Sequence, residues 1–185
     1  MKLQKLFELQ RQLDERIERE HPRQEGEDRL AKKILALMVE LGELANEWRG
    51  FKYWSNDQKP RTRKPIYNVL GGTIGHKNAV LEEYVDCLHF ILSIGNEINM
   101  NEVYEDSSPK PVYLDDVIYQ FMFVNQDITS LYYNRHNDDI NGDIYDLIFS
   151  GFLGLGQMLG FTWEQIEAAY MQKNAENHRR QDSNY

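Results

Sequence analysis

Apolar side chains recur at three- and four-residue steps along this chain, and no stretch alternates them every two residues. That periodicity admits a bundle of helices and leaves little room for a sheet. Leu3, Leu6, Phe7, Leu9, Leu13 and Ile17 define a first amphipathic helix that ends near His21 and Pro22. Leu30, Ile34, Leu37, Leu41, Leu44 and Trp48 define a second, from about Asp28 to Trp48. A third runs from Asn78, an N-cap by type, to Asn99, with Leu81, Tyr84, Val85, Leu88, Ile91, Leu92 and Ile98 on one side. Further helices are expected at about Leu114 to Asn134, Asp143 to Leu159, and from Thr162 to about Arg179. The expected fold is therefore all-α, a bundle of about six helices, with residues 1–185 as one domain. Between helices two and three, Arg49 to Lys77 reads as a long glycine- and proline-bearing connection without strands.

Composition excludes several classes of function. A net charge of −9 disfavours binding to a nucleic-acid polymer, which needs clustered Lys and Arg. Cys87 is the sole cysteine, so there is no internal disulfide and no cysteine-based zinc cluster. The first residues mix charged with apolar side chains, unlike a signal peptide, and Leu147 to Trp163 is too short and interrupted for a membrane span. No membrane association is expected, and the cytoplasm is the default location.

Chemistry concentrates in acidic residues at helical spacing. Glu40, Glu43 and Glu47 share one narrow face of helix two, and Glu83 and Asp86 face away from the apolar side of helix three with His89, Phe90, Ser93 and Glu97. Carboxylates crowded in this way repel one another, and a hard cation such as magnesium relieves the repulsion. Either half alone is most often a solvated face; two halves on neighbouring helices are the signal. A carboxylate di-iron bundle would need Glu-x-x-His on each of two inward helix faces; the acidic faces of helices two and three carry none, and His89, which follows Asp86 at that spacing, gives too few ligands. Near the C-terminus, Lys173, Asn174, Asn177, Arg180 and Gln181 form a KNxxNxxRQ string that puts two cations and an amide on one helical face, suited to phosphate oxygens. A basic helix end that merely complements the helix dipole is the alternative for that string taken alone.

Together, ELGE at Glu40 to Glu43, EYVD at Glu83 to Asp86 and the KNxxNxxRQ string resemble the dimeric dUTPases of the all-α NTP pyrophosphatase (MazG-like) superfamily. The resemblance extends to LFELQRQLD near the N-terminus, KYW ending at Trp54, DCLHFILS after Asp86 and GDIY at Gly142 to Tyr145. It implies hydrolysis of dUTP, and of dUDP, to dUMP, with attack at the β-phosphorus. It also implies a homodimer using two or more magnesium ions, with manganese as a substitute. Glu40, Glu43, Glu83 and Asp86 would hold the metal, with Glu40 and Glu43 as the catalytic pair and Glu40 also deprotonating the attacking water. Lys173, Asn177 and Arg180 would meet phosphates and sugar, and Tyr185 matches a tyrosine just beyond that string. Trp54 would stack on the base, opposite Phe90 or His89, while Gln10 and Asp14 would read the uracil edge. Relatives have Asn where Asp14 stands. Trp48 belongs to the core by its phase, and Lys59 to Lys64 reads as a solvated basic loop. Alternative functions are a broader pyrimidine or house-cleaning pyrophosphohydrolase acting on dCTP or modified nucleotides, a non-catalytic helical partner-binding protein, and the di-iron bundle.

Overall fold

A computed structural model describes residues 3–105 and 107–183. Its helices are α1 (Leu3–Glu20), α2 (Arg29–Trp48), α3 (Ala79–Glu97), α4 (Met100–Val103), α5 (Val117–Asn134), α6 (Asp138–Met158) and α7 (Trp163–Asp182). Polar side chains start four of them by accepting a bond from an otherwise orphaned amide: Asp28 from Ala31, Asn78 from Leu81, Asp116 from Tyr119 and Thr162 from Gln165. Thr162 and Gln165 cap each other reciprocally in a capping box. After α2, Arg49 takes a left-handed φ of 66° and its amide donates back to Ala45.

Helix α3 runs through the middle of the bundle, packed by α1, α2, α4, α6 and α7. That position explains why its buried residues go nearly all the way round and include Ser93 and His89 beside Val85, Leu88 and Leu92. Two tyrosines fix its rotation. Tyr84 donates to the Phe152 carbonyl at 3.1 Å, and Tyr145 of α6 donates to the Ile91 carbonyl at 2.8 Å. Both hydroxyls occupy space beside a glycine: a Cβ on Gly156 would lie 2.4 Å from the Tyr84 oxygen, and a Cβ on Gly95 would come as close to Tyr145. With Tyr84 turned into the core, Glu83 and Asp86 face α2 and α7. Cys87 and Trp48 belong to the core, Cys87 fully buried and Trp48 tilted against Phe121 at 5.5 Å between centroids.

The connection after α2 differs from expectation. It contains an antiparallel hairpin, β1 (Lys64–Tyr67) with β2 (Thr73–Lys77), pairing Lys64 with Lys77 and Ile66 with Gly75, and shifting register between Ile66 and Tyr67. Its strands are mostly exposed, so no apolar–polar alternation marks them in the sequence. Turn chemistry was the available signal: the Asn68 side chain accepts from the amides of Leu70 and Gly72, and Gly71 sits at φ 80°. The basic loop is also less solvated than expected, because Lys64 pairs with the buried Glu47 at 2.9 Å and the Arg61 amide donates to the Glu47 carbonyl. Two smaller departures are the α4 turn, which follows Asn99 at φ 61°, and α6, which begins at Asp138 rather than near Asp143. No single helix among the described residues is long and apolar enough to cross a membrane.

Candidate active site

Helices α1, α2, α3 and α7 converge on a cleft of about 200 Å³. Nine residues singled out from the sequence line it: Gln10, Asp14, Glu40, Asp86, His89, Phe90, Lys173, Asn177 and Arg180. They come from positions 10 to 180 and meet because α1 and α7 both pack on α3.

At one edge of the cleft, Glu40, Glu43 and Glu83 bring carboxylate oxygens within 4.8 Å of one another. Burial, with Asp86 and Glu43 nearby, pushes the Glu40 carboxyl up to about 7. Burial and the same neighbours, with Glu82 and Glu40, do the same to Glu83, also to about 7. Packed acids held this far from their ordinary range repel one another, and their all-oxygen donor set could hold a hard divalent cation. The cluster contains no histidine, which removes the basis of the di-iron reading.

Asp86 stands slightly apart from the three glutamates. Its Oδ2 accepts from Lys173 Nζ at 2.6 Å, and Lys173 is also 4.0 Å from Glu82. Burial raises Asp86 and the lysine partly offsets it; burial alone would lower Lys173, but Asp86, Glu82 and Glu176 outweigh it and its pKa is raised. The lysine is therefore held charged at the acidic edge. Arg180 bonds to Glu176 one turn away and also lowers the pKa of Glu40 through space.

The other end of the cleft is a buried polar network. Gln10 falls in phase with Leu3, Leu6, Phe7 and Leu13, so α1 carries an amide into its core face. Nε2 of Gln10 donates to Asp14 Oδ1 at 2.8 Å, and Oε1 lies 2.7 Å from His89 Nδ1 and 3.0 Å from the Tyr170 hydroxyl. Both acceptor positions of the Gln10 carbonyl are thus taken within the protein, and that oxygen is not left to read a base. His89 is buried, and the face of its ring that stacks on Tyr170 at 4.2 Å and 17° is not open to a base. Phe90 is half-buried in the cleft wall and is the aromatic face left there. Tyr170 was missed by sequence reading; its signal is a place three residues before Lys173, on the inward side of α7.

One expected residue is not brought to the cleft region. Trp54 is 64% exposed and meets only Phe51 and Tyr53 edge-on among described rings, in a loop tied down by the Arg49 guanidinium on the Asp57 carbonyl. Tyr185 lies outside the described residues. Glu47, on the acidic face of α2, turns away from the cluster to Lys64.

Comparison with curated proteins returned no match. A family model described as dUTPase matches residues 2–70 and 72–185, nearly the whole chain. Length of match and a mostly helical bundle with paired acidic helices agree, and the chain belongs to the all-α dUTPase family, hydrolases of acid anhydrides that act as dUTP diphosphatases.

Proposed function

We propose that this cleft hydrolyses dUTP, and dUDP, to dUMP with magnesium as the required ion, in a homodimer. The observation that carries this reading is the meeting of three carboxylates from α2 and α3 beside Lys173, Asn177 and Arg180 of α7. Glu40, Glu43, Glu83 and, once Lys173 turns to phosphate, Asp86 would hold the cation. When bound it supplies neutralisation of polyphosphate charge and acidifies water. Glu40 would orient a water and accept its proton, and Lys173 and Arg180 would neutralise charge that develops on the phosphates. Phe90 packs against the base, with Asp14 and His89 behind it. The test is incubation with each dNTP and with dUDP, with magnesium, with manganese and with chelator, resolving products by ion exchange. dUMP and pyrophosphate from dUTP only in the presence of a divalent ion is the expected result; equal turnover in chelator overturns the metal requirement.

Cation binding has a thermal signature. Glu40 and Glu83 have folded-state values near 7 against an ordinary 4.5, so their contribution to stability is fully present below about 4.5 and is lost as pH rises through about 7. His89, held down to about 3 by burial, runs the opposite way, gaining stability as pH rises to its ordinary 6.5. Measuring Tm with and without magnesium at each pH cancels the histidine. The increment should grow from pH 5.5 to pH 7.5, because protons compete with the cation for the two glutamates. A pH-independent increment would place the ion elsewhere.

Dimer formation is supported by apolar side chains that the single chain leaves in solvent. Leu35 and Val39 of α2 and Ile118, Met122 and Tyr133 of α5 are each at least half exposed, on two helices that pack against each other. Light scattering at micromolar concentration should give twice the chain mass, and Val39→Glu with Met122→Glu should shift it toward the monomer.

A further inference from the structure

The chain of bonds behind the cleft has a direction. Asp14 Oδ1 is an acceptor, so the Gln10 amide must turn its NH2 toward Asp14 and its carbonyl toward His89 and Tyr170. Burial raises the Asp14 carboxyl, and a proton there would go to the unpaired Oδ2, leaving Oδ1 an acceptor in either state. The fully buried Tyr170 hydroxyl donates to the same carbonyl at 3.0 Å, its shorter contact, with the Leu6 carbonyl at 3.4 Å, and so favours that orientation of the amide. Facing that carbonyl, His89 Nδ1 must carry the ring proton. The ring is neutral, because burial holds its pKa down to about 3. Nε2 is consequently bare. It is buried, has no partner among the described residues, and belongs to a residue lining the cleft. A bare buried acceptor calls for a donor from whatever fills the space.

We propose that Asp14, Gln10 and Tyr170 are positioning residues that lock His89 in the Nδ1–H tautomer, so that the cleft presents Nε2 as an acceptor and selects uracil over cytosine. This deepens the proposed function and rests on the cleft being the base site. Uracil offers a donor at N3–H, whereas N3 of cytosine is itself an acceptor and would face Nε2 lone pair to lone pair. Reversing the Gln10 amide would reverse the preference: Nδ1 would accept, Nε2 would carry the proton, and the site would suit cytosine N3. Asp14 thereby acts on the base through two side chains rather than by touching it.

The experiment uses Asp14→Asn, whose amide can face Gln10 with either end, and Tyr170→Phe, which removes the second donor on the Gln10 carbonyl. Long-range ¹H–¹⁵N NMR of the nucleotide-free protein reads the His89 tautomer directly. Wild type should show a protonated Nδ1 and a pyridine-like Nε2, and Asp14→Asn a mixture. The ratio of kcat/KM for dUTP over dCTP should fall by about tenfold or more in Asp14→Asn, and in the same direction in Tyr170→Phe. A protonated Nε2 in the wild type, or an unchanged ratio in a folded Asp14→Asn whose tautomer has shifted, overturns the proposal. Absence of turnover of either nucleotide by the wild type would strike the base-site reading instead, and the NMR signal, taken without nucleotide, would still decide the lock.

Discussion

Glu43→Gln should lower kcat/KM for dUTP by about a hundredfold or more while raising the melting temperature of the cation-free protein. Both effects come from one charge. Glu43 lies within ligand distance of Glu40 and Glu83, and its negative charge is among the causes that hold both neighbours near 7. Replacing it with an isosteric amide removes repulsion from the folded state, and nothing in the core depends on the carboxylate, since Glu43 is exposed. The same change removes an anionic oxygen from the site proposed to hold a divalent ion against a polyphosphate, and one lost contact of that kind is worth on the order of a hundredfold in rate. Steady-state kinetics at saturating magnesium and calorimetry in chelator check the two halves. A variant that melts lower and keeps its turnover would show that Glu43 is structural.

Lys173→Ala should also lower turnover by on the order of 10² to 10³, but with the opposite effect on stability. Lys173 is nearly buried and pairs with an equally enclosed Asp86 at 2.6 Å. Its removal leaves Asp86 without its cation beside the three glutamates, a cost of about 1–3 kcal/mol for an uncompensated buried polar group. The cation-free variant should melt lower at pH 7.5, and the deficit should shrink as the pH is lowered, because burial raises the Asp86 carboxyl and a proton there relieves the lost pair. Magnesium should restore more stability to this variant than to wild type. Loss of kcat without a change in melting would mean that the ion pair contributes nothing to the fold.

The opposed signs describe how the site is balanced. Lys173 holds Asp86 in this structure, and a phosphate that competed for the lysine would free a fourth carboxylate for the cation. Binding of metal and of substrate would then favour each other, since each removes the partner the other must displace.

Local physics carried much of this protein in its sequence. The apolar period of helices α1 to α3, the caps Asn78 and Thr162, and the three-residue spacing of Glu40 with Glu43 and Glu83 with Asp86 depend only on helix geometry, which neighbouring residues impose on one another. That two acidic pairs lie on neighbouring helices was readable from their spacing, whereas the expectation that α7 brings Lys173 to them came from the resemblance carried by the KNxxNxxRQ string. What the tertiary structure decided is where a side chain has no local reason to point. Gln10 looks like a reader of substrate by type, and only the approach of α3 and α7 to α1 turns its carbonyl to His89 and Tyr170. Glu47 shares its spacing with Glu40 and Glu43, yet a hairpin with no periodic signal captures it through Lys64. Trp54, set in a loop, is held at the surface by bonds from Arg49 that no pattern in the sequence announces. Periodicity determines which face of a helix is buried; the partner met by a polar group on that face is chosen by elements distant in sequence, through the requirement that buried donors and acceptors find one another.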